Sequence, residues 1–107
     1  LRYFILVNKF KWEMPFVYII KSIRTEGFYI GKTYDLEQRL RYHNSLELNT
    51  GVSKLGIPWE FLFILEVSTY ALAGKLEMYT KRMKSREYCI SLTKYPEISQ
   101  KLIEKYS

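Results

Sequence analysis

At 107 residues the chain is long enough for one domain with a single small core and too short for two. Apolar residues make up 48% but never gather into the run of about 18 that a membrane span needs, and a lone Cys89 rules out a disulfide scaffold or a cysteine-built zinc site, so cytoplasmic residence is the expectation. Seventeen Lys and Arg against eleven Asp and Glu give a net charge of +6, which favours a polyanionic partner without identifying it.

Residues 1–13 run from Leu1 to Trp12 and Glu13 as a short apolar stretch with no small-residue cleavage site, so they do not read as a signal peptide. They are expected to be an extension, with Met14 opening the functional domain at 14–94 and residues 95–107 forming a helical tail. Phe16 to Lys21 and Gly27 to Thr33 are β-rich runs joined by a polar connection, which predicts an antiparallel hairpin. If Lys21 faces Phe28, then Ile20 faces Tyr29 and Tyr18 faces Gly31, which puts both tyrosines on one face of the sheet. Asp35 stands at a helix N-cap with Gln38 three residues on, predicting a short helix over Leu36 to His43. Arg39 and His43, four apart, are neighbours on one face of that helix and are expected to point away from Leu36.

Asn44 to Pro58 is polar, carries Gly51 and Gly56, and reads as an exposed loop whose Lys54 could reach a bound backbone. Trp59 to Val67 returns to strand character, apolar on both sides and therefore expected to be central. From Ala71 to Lys84 the spacing of Leu72, Leu76, Tyr79 and Met83 predicts a helix with a buried stripe, and Glu77 lies at its border, where a carboxylate can point into a cleft. Four of the six residues from Lys81 to Arg86 are basic, a phosphate-attracting helix exit or a solvated end suited to the macrodipole. One or two closing helices, broken near Pro96, complete the chain.

These residues resemble the GIY-YIG nuclease family, in particular its small standalone bacterial members. The resemblance spans Pro15 to Leu92 and rests on Val17-Tyr18-Ile19-Ile20-Lys21-Ser22, Tyr29-Ile30-Gly31-Lys32-Thr33, Arg39-Leu40, His43-Asn44, Gly56-Ile57-Pro58-Trp59-Glu60, and Glu77 leading into Lys81, Lys84 and Arg86. It departs in two places: the first signature element is Phe-Val-Tyr, and the late asparagine of the repair-incision branch has no counterpart, the last asparagine being Asn49.

The resemblance implies an α/β domain of α+β type, a three-stranded antiparallel sheet flanked by helices, acting as a hydrolytic DNA endonuclease with one Mg²⁺ or Mn²⁺. Tyr18 would activate water as base or relay, Tyr29 would orient water or phosphate, Arg39 would hold the developing charge, and His43 would assist the tyrosine. Glu77 would be the sole protein ligand to the metal, with Lys32, Lys54, Lys81, Lys84 and Arg86 toward DNA. Each residue also has a bland reading: half-buried strand tyrosines, a helix-capping His43, a Glu77–Lys81 surface pair, and Trp59 as core. The competing function is a catalytically weak or inactive nucleic-acid-binding module of the same fold; intact Tyr18, Tyr29, Arg39 and Glu77 argue for the enzyme.

Overall fold

A computed structural model describes residues 14–107; the expectation for residues 1–13 lies outside the described residues. Strands β1 (Phe16–Ser22), β2 (Phe28–Thr33) and β3 (Trp59–Glu66) form one antiparallel sheet in the order β2-β1-β3. Helix α1 (Leu36–His43) and a 3₁₀ turn (Val52–Gly56) lie between β2 and β3, and α2 (Tyr70–Met83), α3 (Arg86–Lys94) and α4 (Pro96–Tyr106) follow. This is the expected α+β arrangement of a three-stranded sheet flanked by helices.

The hairpin has the predicted register, with Tyr18 opposite Gly31 and Ile20 opposite Tyr29. Alternation along β1 then sends side chains to two cores. Phe16, Tyr18 and Ile20 pack with Leu36 and Trp59 on one face, joined by the half-buried Leu40 of α1. On the other face Val17 packs with Leu72, Ala73 and Leu76 of α2 and Leu102 of α4, while Ile19 meets Cys89 and Leu92 of α3. Asp35 caps α1 by accepting from the Gln38 amide at 3.1 Å, and its own N–H goes to Thr33 Oγ1 at 3.0 Å. Pro96 occupies the start of α4, where its missing N–H costs nothing.

Four expectations are corrected. Strand β3 is an edge and β1 is the central strand; an apolar run on both faces reports that helices cover both faces, not that both edges are paired. Arg39 and His43 do not point away from Leu36: a residue seven positions on returns to within about 20° of the first, so His43 is buried beside Leu36. The segment Asn44 to Pro58 is not simply an exposed loop, because Asn49 and Ser53 are buried within it. The buried stripe of α2 runs through Leu72, Ala73, Leu76 and Thr80, leaving Met83 exposed.

Candidate active site

Tyr18 sits on the central strand, its ring laid over the backbone of the neighbouring β2. A Cβ added to Gly31 would lie 2.5 Å from the Tyr18 hydroxyl oxygen and 2.6 Å from Cζ, so this approach requires a residue without a side chain. Tyr18 is only 1% exposed, and burial pushes its phenol up to about 12, against the opposing pull of Arg39. At neutral pH it therefore carries its proton.

Two nitrogens address that phenol oxygen. His43 Nε2 lies 2.9 Å away, and Arg39 Nε donates to it at 3.4 Å. The direction of the His43 contact follows from what stands behind it. Ser53 Oγ is 2.8 Å from His43 Nδ1 and accepts a hydrogen bond from Asn49 Nδ2, also at 2.8 Å. Asn49 in turn donates to the His43 carbonyl at 2.8 Å and accepts from the Gly51 amide at 2.9 Å. An amide nitrogen can only donate, so the buried Ser53 hydroxyl proton has one acceptor among the described residues, His43 Nδ1. That assigns the imidazole proton to Nε2, aimed at Tyr18. Burial, reinforced by the Arg39 charge, lowers the His43 pKa to about 4, so the ring is neutral at pH 7.

With that tautomer the phenol oxygen accepts from two N–H groups, at the border of an adjoining cleft. That cleft has a volume of about 460 Å³ and is bordered by Tyr18, Tyr29, Arg39, Lys32, Tyr70 and Glu77. Arg39 stacks on the Tyr42 ring, with Cζ 4.7 Å from its centroid. Tyr29 leans on the His43 ring at a centroid distance of 4.6 Å. Tyr34 and Tyr70, not singled out in the sequence, stack at 5.0 Å on the cleft's border.

Glu77 reaches the cleft from the opposite side of the sheet. Its Oε1 pairs with Lys32 and its Oε2 with Lys81, both at 2.9 Å. Burial pushes the carboxyl up, but hydrogen bonds and charge from Lys81 and Lys32 outweigh it and hold the carboxyl below its ordinary range. The hydrogen bond to Glu77 in turn raises Lys32. Among the described residues no three His, Cys, Asp or Glu side chains converge; the cleft is lined by two acidic residues, Glu77 and the α1 N-cap Asp35, and Glu77 is the one that would hold a divalent ion. A single carboxylate suits Mg²⁺, which keeps several waters and takes substrate phosphate oxygens as further ligands. The ionised, partly exposed Glu77 fits that role if Lys32 yields Oε1.

Of the sequence-predicted site residues, Tyr18, Tyr29, Arg39, Lys32 and Glu77 border one cleft, and His43 stands behind Tyr18. Lys81 reaches the cleft only through Glu77. Lys54 is exposed on the 3₁₀ turn, away from it. Lys84 and Arg86 border a separate depression, where Arg86 lies over Phe28 at 4.4 Å and bonds to the Glu26 carbonyl. Asn44, beside His43, exchanges two hydrogen bonds with the Trp59 backbone, at 2.6 and 3.0 Å, and pins the end of α1 to β3. Sequence reasoning missed Asn49 and Ser53; only their proximity to His43 could have flagged them.

A buried tyrosine, a guanidinium and a carboxylate face one open cleft in a basic α+β domain, and the match of residues 14–89 to a nuclease family makes this a nuclease-type catalytic domain whose substrate class is nucleic acid. The model of the GIY-YIG catalytic domain matches residues 14–89, and the chain belongs to the GIY-YIG family. No curated protein and no solved structure matches it significantly.

Proposed function

We propose that this protein is a DNA endonuclease that hydrolyses a phosphodiester seated between Tyr18 and Arg39 on one side and Glu77 on the other. The observation that carries the reading is that these three side chains, from β1, α1 and α2, border a single cleft. Arg39, held against Tyr42, presents the guanidinium groups that Tyr18 does not use to the phosphate, where charge grows as the pentacoordinate state forms. Tyr18 releases its proton to solvent in the small fraction that ionises, and the N–H groups of His43 and Arg39 stabilise the resulting phenolate. The phenolate takes a proton from the attacking water as the water oxygen bonds to phosphorus and the leaving oxygen departs. His43, neutral and protonated at Nε2, acts as a donor to Tyr18 and not as a base toward it. Tyr29 borders the same space and orients water or phosphate. A single Mg²⁺ or Mn²⁺ held by Glu77 would supply the positive charge needed at the leaving oxygen.

A binding module with little catalysis is the second reading. It is favoured by the pairing of both Glu77 oxygens with lysines. Cleavage of labelled duplex, branched and single-stranded DNA with and without Mg²⁺ separates the two. The endonuclease reading expects metal-dependent cutting that falls at least a hundredfold in Tyr18→Phe and in Glu77→Gln. Binding without cutting, identical in wild type and Glu77→Gln, selects the binding module.

A further inference from the structure

We infer that the catalytic cleft opens into a second groove along the solvent side of α2, and that this groove holds the phosphate backbone of the nucleic acid on one side of the scissile bond. This assignment rests on the nuclease reading and adds a path for the substrate. The groove has a volume of about 660 Å³ and shares Lys32 and Glu77 with the cleft, so a chain leaving one enters the other. Lys75 and Arg82 border it from α2, and Lys105 from the end of α4.

Its charge is one-sided. Lys32, Lys75, Arg82 and Lys105 border it with a single acidic side chain, Glu77, which already has two lysine partners. Among the described residues neither Arg82 nor Lys105 forms a salt bridge. The helix-exit Arg86, by contrast, is committed to Glu26 and Phe28. Lys75 Nζ donates to the Tyr106 carbonyl at 3.4 Å and Lys105 lies over the Tyr106 ring at 5.4 Å, contacts that hold the two cations at the groove without neutralising them. Cations without a carboxylate partner arranged along a groove are what a polyphosphate requires. From Lys75 to Arg82 the helix rises about 10 Å, the axial length of roughly three nucleotides.

Gly74 is a second, independent indication. It borders the groove inside α2, one turn before Glu77, where glycine weakens a helix relative to alanine. Packing within the chain does not demand it, since an added Cβ would meet only Lys32 Cε, at 3.8 Å. A bare helix backbone beside the entrance to the cleft lets a phosphate approach closely.

The test uses Tyr18→Phe as a background that binds without cutting, and measures anisotropy of a labelled DNA duplex between 50 and 200 mM salt. Arg82→Ala with Lys105→Ala is compared with Lys84→Ala with Arg86→Ala, which removes the same charge at the helix exit. The groove pair is expected to lower the slope of log affinity against log salt by about 1.8, two lost phosphate contacts, and the helix-exit pair by less than half of that. Equal losses, a larger loss from the helix-exit pair, or an unchanged slope in the groove pair overturns the path while leaving the nuclease reading intact. Failure of the Tyr18→Phe background to bind any DNA or RNA overturns the nuclease reading and the path with it.

Discussion

The proton on His43 decides what Tyr18 can be. With Nε2 protonated, the imidazole cannot collect the tyrosine's proton; it can only hold the oxygen after that proton has left. The chain has one histidine, so an imidazole ¹⁵N spectrum reports this residue without ambiguity. The Nε2–H tautomer is expected at neutral pH, with protonation only as pH falls toward 4, below the ordinary histidine value of about 6.5. Ser53→Ala removes the hydroxyl that fixes Nδ1 as an acceptor, so the tautomers should mix and cleavage fall about tenfold; Ser53→Thr should restore both. An Nδ1–H tautomer in the wild type sinks the assignment. The Tyr18 phenol, raised to about 12 by burial, sets the sign of the pH dependence. Its deprotonated form is the active one, and below that pKa the phenolate fraction rises tenfold per pH unit. In the free enzyme kcat/KM should therefore climb with slope near one from pH 6 to 9, and a flat profile there excludes Tyr18 as the base.

Among the elements, the hairpin and α1 were readable because their signals are local. A polar turn between two β-rich runs sets the register, and Asp35 followed by Gln38 marks a helix start. The register has a sharp consequence at Gly31, which faces Tyr18 across the ladder. Gly31→Ala would force a methyl to within 2.5 Å of the Tyr18 oxygen, and either the ring or β2 must move. The cost of such overpacking is about 1–3 kcal/mol, so thermal unfolding should shift down and cleavage should fall toward the Tyr18→Phe level. Wild-type activity in Gly31→Ala would refute the close-approach explanation. What could not be read locally was strand order, since hydrophobicity reports covered faces and not paired edges. The burial of Asn49 and Ser53 was equally hidden, because their partner His43 lies across a loop and no periodic pattern marks them. His43 itself was legible in principle: seven residues bring it back to the face of Leu36.

For the whole molecule, the position of β2 at an edge of the sheet explains why the site needs both layers. Tyr18 and Tyr29 lie on the α1 face, whereas Lys32, paired in register with Val17, lies on the α2 face and reaches Glu77. The cleft wraps over this edge, so its two halves are held by two separate cores. The α2 half depends on α4, whose Leu102 packs with Val17 and Leu76 although the family match ends at residue 89. Leu102→Ala should cost about 2–3 kcal/mol of unfolding free energy, the lower part of the range for buried leucine because the site lies at the rim of its core. Its effect on the site should be selective: Glu77 and Lys32 ride on the weakened layer, while the Tyr18–His43–Ser53 network belongs to the other. Chemical denaturation gives the stability loss, and the single imidazole ¹⁵N spectrum shows whether the α1 side is intact. The expected result is a destabilised protein with an unchanged His43 tautomer. A stability change below about 0.5 kcal/mol would mean that α4 is dispensable to the core, whereas a changed tautomer would mean that the two layers are not independent.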